Sequence, residues 1–151
     1  MQKIIIWLIG ILFLSHNVEA MEVPIQIDIV SSQNEVKQTY VAEISDTLET
    51  IEKGLMERQK LPQNQGMLFD MTIVPAETPI AFWMKNTLIA LDILFIDESG
   101  QIFFIKENAK PHDTSLIWPP QRPTYVLEIN GGQSQKHHIQ AGDFIHKKPI
   151  K

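Results

Sequence analysis

The chain of 151 residues contains no cysteine. That absence excludes a disulfide framework, a thiolate zinc site, a cysteine nucleophile and the acylated cysteine of a lipoprotein. Basic residues are few and scattered, 13 Lys and Arg against 18 Asp and Glu, for a formal net charge of −5. Nucleic-acid backbones and anionic membrane surfaces are held by concentrated basic patches, so neither is expected as a partner. No internal repeat or low-complexity tract is present. Hydrophobic content of 44% and charged content of 21% are those of a folded globular chain.

An apolar run long enough to cross a bilayer is also lacking near the N-terminus. Ile4 to Leu14 is free of polar residues, but about eleven residues fall short of the ~20 that a spanning helix needs. Lys3 precedes the run, Ser15-His16-Asn17 breaks it, and Val18-Glu19-Ala20 offers modest side chains to a signal peptidase. This layout predicts a secretory signal over residues 1–20, cleaved after Ala20, with no stable membrane anchor afterwards. Residues 21–151 are then a single mainly-β domain, exported to the periplasm or secreted, and roughly 130 residues suffice for one sizeable core.

In that domain Val23 to Val30 alternates apolar and polar residues, as does Val36 to Ile44, and together they predict a β-hairpin whose Pro24 suggests an edge strand. The period then changes. Leu48, Ile51 and Leu55 fall at helical spacing behind a capping box formed by Asp46 and Glu49, which predicts one short amphipathic helix over Asp46 to Glu57. Further strands are expected over Gly66–Met71, Ile80–Met84, Leu91–Ile96, Gln101–Lys106, Thr124–Ile129 and Phe144–His146. Leu91–Ile96 and Gln101–Lys106 are joined by the turn Asp97-Glu98-Ser99-Gly100 and are nearly continuous in apolar residues, so both faces should be covered. Four prolines and Trp118 make Asn108–Pro123 a long loop. The fold class expected is a compact antiparallel β-sandwich or partly open barrel with one short amphipathic helix.

Several blocks carry a resemblance. Gly54-Leu55-Met56-x-Arg58, Gly66-Met67-Leu68-Phe69, Phe82-Trp83-Met84-Lys85-Asn86-Thr87 and Leu91-Asp92-Ile93-Leu94-Phe95-Ile96-Asp97 follow one another in register. Val126-Leu127-Glu128-Ile129 with Gly131, and Gly142-Asp143, close the series. The sequence resembles the uncharacterised domain-of-unknown-function-192 family. The resemblance implies a compact β-sandwich or barrel with a short helix, and supplies no catalytic residue to transfer.

The chemistry therefore has to come from side chains. Lys85, Asn86 and Thr87 form a polar break beside Trp83 and Met84, which suits either a solvated turn or the edge of a ligand pocket. Asp92 and Glu128 interrupt apolar strands; each is either on a solvent face or a buried carboxylate needing a partner, with Arg58 and Lys85 the candidate cations. Arg58 suits a bidentate structural ion pair that ties the helix end to the sheet. No histidine spacing resembles a zinc site, and no cofactor is expected. The first functional expectation is a non-enzymatic, exported ligand-binding or accessory domain for a polar small molecule, glycan or peptide, with its site at Trp83, Met84, Lys85, Asn86, Asp92 and Glu128. Tryptophan stacks readily on sugar rings, which favours a glycan. The alternatives are a small hydrolase using Asp92 or Glu128 with Lys85, a protein-interaction domain, and a Cu(I) protein using Met56, Met67, Met71 and Met84. The pocket readings share one geometric requirement: Trp83, Lys85, Asp92 and Glu128 must face a common cavity.

Overall fold

The computed structural model describes residues 23–150. The expected leader, residues 1–20, lies outside them. Seven strands follow the chain: β1 (Ile25–Val30), β2 (Val36–Ser45), β3 (Gln65–Asp70), β4 (Leu91–Ile96), β5 (Ile102–Ala109), β6 (Tyr125–Asn130) and β7 (Phe144–Pro149). Helix α1 (Leu48–Lys53) lies between β2 and β3, and α2 (Gln133–Lys136) between β6 and β7. No helix among the described residues is long and apolar enough to cross a membrane.

The strands make one mixed sheet in the order β5-β4-β6-β3-β2-β1-β7. It curls until its two outer strands meet at one end, where Gln101 bridges Phe144. Ile102 N–H donates to the Asp143 carbonyl there, and Ile145 N–H to the Gly100 carbonyl. The result is the partly open barrel of the two expected alternatives, closed at one end of the seam. The antiparallel expectation needs one correction: β2 and β3 run parallel. A parallel pair requires a crossover, and α1 with the chain after it supplies that connection.

Local differences from the sequence reading have local causes. β1 pairs with β2 on one side and β7 on the other, so it is interior; Pro24 sits just before it, where no ladder bond is lost. The helix is shorter than expected. Thr47 caps it in a reciprocal box with Thr50, displacing the expected Asp46 and Glu49, and Gly54 ends it at φ 48° with its N–H donating to the Thr50 carbonyl. Ile80–Met84 contributes a single bridge, Phe82 to Ile117, rather than a strand. Helix α2 was not foreseen.

Strand alternation separates two apolar layers. The barrel interior holds Ile27, Ile29, Leu68, Leu94, Leu127 and Ile129, packed as one buried cluster. The outer face of β3, β4 and β6 carries Met67, Phe69, Ile93, Phe95 and Val126 in a second cluster. That second layer stays dry because Ile51 and Leu55 from the α1 segment, and Ile80, Phe82 and Ile117 from the long loops, pack on it. Covering on both sides explains why β4 is buried at all six residues.

Candidate functional site

The covering elements do not seal the outer face completely. Between α1 and the segment 79–87 they leave a cleft of about 380 Å³. Its walls are mostly apolar: Ile51 and Met56 on one side, Ile80, Phe82 and Trp83 on the other, with Phe69 and Met71 also lining it. Phe69 and Phe82 meet edge to face with centroids 5.5 Å apart, and Phe82 meets Phe95 likewise at 5.6 Å.

The walls are tied to the sheet and to each other by polar contacts. Arg58, just beyond α1, donates through both terminal nitrogens to the Glu43 carboxylate on β2. This is the bidentate pairing expected of Arg58, with Glu43 rather than Asp92 or Glu128 as its partner. Each lowers or raises the other in the expected sense: the guanidinium holds the Glu43 carboxyl below its ordinary range, and the carboxylate raises Arg58. Glu57 N–H donates to the Asn86 carbonyl, joining the helix exit to the opposite wall. Further along, the Arg122 guanidinium donates to four carbonyls, those of Val74, Pro75, Ala76 and Thr78. Arg122 carried no sequence signal beyond lying in a proline-rich loop; its role comes from a contact more than forty residues away.

Glu128 lines this cleft and is only 5% exposed. Desolvation alone pushes its carboxyl up to about 8. The reason lies in the register. Across the outer face one row of paired positions runs Glu43 (β2), Met67 (β3), Glu128 (β6), Ile93 (β4), Lys106 (β5). The immediate neighbours of Glu128 are apolar, and Glu43 is already engaged by Arg58. Near neutral pH Glu128 is mainly an uncharged carboxylic acid, a hydrogen-bond donor set in an apolar wall.

Asp92 is elsewhere. It pairs with Ile129, whereas Ile93 pairs with Glu128, so the two carboxylates project from opposite faces of the sheet. Asp92 is completely buried at the end of the barrel interior. One of its oxygens accepts from Asn108 N–H and Gly132 N–H, the other from Ser134 N–H. Those bonds fasten the start of α2 against the barrel. The Tyr40 hydroxyl is buried without a partner, and burial raises it, with the Asp92 charge adding to the effect.

The expected common cavity is thus corrected. Trp83 and Glu128 share the cleft, and Asp92 cannot join them because alternation turns it inward. Lys85 is at the rim, its Nζ 4.9 Å from the Trp83 ring centroid. Met84 is buried, makes a backbone bond to the Asp113 carbonyl and borders a separate hollow with Trp118. Asn86 takes φ 54°, the left-handed geometry of a turn. Met67, Met71 and Met84 pack in the outer apolar layer, and Met56 lines the cleft. No group of three or more His, Asp or Glu side chains among the described residues is placed to hold a metal. The reading from sequence missed the other wall: the stripe Leu48, Ile51, Leu55 announced a face needing cover, and that face became one side of the cleft.

Comparison with known proteins adds the following. The model of an uncharacterised family, domain of unknown function 192, described as Uncharacterized ACR, matches residues 28–146. The chain is similar to a crystal structure from Sinorhizobium meliloti 1021 described as a candidate transcription regulator. Identity is 31%, TM-score 0.78, and the match covers 85% of this chain and 97% of that one. It is also similar to a protein of unknown function from Novosphingobium aromaticivorans DSM 12444, with 29% identity, TM-score 0.75, and 87% and 89% of the two chains covered. No curated protein matches.

Proposed function

We propose, for a chain that belongs to the domain-of-unknown-function-192 family, that it is an exported, non-enzymatic domain binding a small and largely apolar molecule in the α1 cleft. The observation carrying this reading is a preformed cleft of about 380 Å³, mainly apolar, in which Glu128 is a buried carboxyl group. Ligand sites are commonly hollows of this size, mainly apolar, with few polar groups that fix orientation. The lining moves the ligand class away from the glycan expected of an isolated Trp, since a sugar needs several hydrogen-bonding partners and the cleft offers few.

The hydrolase alternative loses its Asp92 form, because alternation puts Asp92 on the opposite face of the sheet from Glu128 and the cleft. A formal net charge of −5 gives no support to nucleic-acid binding by this chain.

The test is saturation binding of the neutral apolar dye Nile red, followed by fluorescence. One site per chain is expected in the native protein. Ile51→Trp, which fills the cleft from the helix side, should weaken binding tenfold or more without changing the cooperative thermal transition. Equal binding by both proteins, or none by either, removes the cleft as a ligand site.

A further inference from the structure

We infer that the cleft selects an organic ammonium ion, with Glu128 as its counter-charge and Phe69, Phe82 and Trp83 as its aromatic surround. This inference rests on the cleft being the ligand site, and names the chemistry that site prefers.

Three observations converge on it. The first is the isolation of Glu128. On its own sheet the nearest charged positions in its row are Glu43 and Lys106, each two strands away. Glu43 is held by Arg58. From α1, Glu52 and Lys53 reach the cleft, and both are exposed at its rim. The segment 79–87 contributes only Thr87 as a polar side chain to the lining. Among the described residues no cation forms an ion pair with Glu128, and desolvation is what raises its carboxyl. A carboxyl group left in this state gains most from a ligand that brings positive charge with it.

The second observation is the aromatic content. Phe69, Phe82 and Trp83 all line the cleft, and aromatic faces attract ammonium groups through their quadrupoles, more so when water is excluded. The third is that this very rim already holds such a contact: the Lys85 ammonium lies over the Trp83 ring at 4.9 Å. A neutral carbonyl ligand would receive one hydrogen bond from the protonated acid. An ammonium ion receives the full carboxylate charge in a desolvated setting as well as the aromatic faces.

Binding of a cation by this route displaces the Glu128 proton. With the carboxyl near 8, about one molecule in ten is ionised at pH 7, so affinity should rise roughly tenfold between pH 7 and 9. A permanently charged probe keeps the ligand's own titration out of that comparison.

The experiment uses phenyltrimethylammonium and its uncharged isostere tert-butylbenzene as competitors of Nile red on the full protein. The expected result is at least tenfold preference for the ammonium ion at pH 8, with its affinity climbing from pH 6.5 to 9. Glu128→Gln should cut ammonium affinity tenfold or more and leave tert-butylbenzene within twofold, and Glu128→Asp should keep the preference. If tert-butylbenzene competes as well as the cation, the inference is wrong and the apolar cleft reading stands. If neither probe nor dye binds, both fail. Should a Glu128 variant not fold, the selectivity and pH profile of the native protein still decide.

Discussion

Glu128 makes a prediction at the scale of one residue. Its carboxyl is raised from the ordinary 4.5 to about 8 in the fold, so between those values the folded chain holds a proton that the unfolded chain has released. Stability from this group is complete below pH 4.5 and is lost as pH rises toward 8. Integrated from pH 5 to 8 the loss is on the order of 3 kcal/mol. Glu128→Gln should remove that slope, so the variant gains on the native protein as pH increases; urea unfolding at pH 5 and 8 measures it. A native stability that is flat over this range would show that the group is better solvated than its surroundings imply. Asp92 and Glu128 looked alike in the sequence, each a carboxylate in an apolar run. What distinguishes them is pairing: Asp92 opposite Ile129, Ile93 opposite Glu128. A single residue of register decides which face each carboxylate takes, and no local pattern encodes it.

Among the elements, those with strong period were legible and those held by distant contacts were not. The β1–β2 and β4–β5 hairpins follow from alternation and turn residues, and α1 from its stripe, although Gly54 cut it shorter than the stripe allowed. The segments that line the cleft carry no such period, because their backbones are held by single side chains. Arg122 is the foremost of these, bonding four carbonyls over Val74–Thr78. Arg122→Ala should leave the barrel folded, with a stability loss of about 1–2 kcal/mol. Amides near residues 74–82 should exchange faster, and Nile red affinity should fall. Hydrogen exchange followed by mass spectrometry checks this, and unchanged protection over that segment would deny Arg122 its anchoring role. The Arg58–Glu43 pair is partly exposed and contributes less, about 0.5–1 kcal/mol.

For the whole molecule, the sequence conveyed a mainly-β fold, sandwich or partly open barrel, but not the order of its strands. Seven of the eight expected strands formed, and their burial follows from continuous runs such as Leu91–Ile96, whereas the parallel β2–β3 pair depends on contacts across the crossover. Asp92 is the clearest case of a polar group explained only at this scale: it closes the barrel end by gathering three N–H groups from β5 and the start of α2. The proposed export also belongs here. A preparation from cells that secrete the product should give Met21 as its first residue on N-terminal sequencing, and a chain beginning at Met1 would count against cleavage.

The seam, joined among the described residues at the Gln101–Phe144 bridge and the backbone bonds around it, has a consequence for behaviour at high concentration. Beyond that bridge β5 and β7 are the unpaired outer strands of the sheet, leaving backbone donors and acceptors on two borders, the kind of template onto which a neighbouring chain adds. The residues there are ill suited to such addition: Lys106 and Glu107 are exposed on β5, and β7 finishes with exposed Lys147, Lys148 and Pro149. Charge and a missing N–H guard the opening, so light scattering of a concentrated sample is expected to show no growth of fibrous assemblies at the open borders.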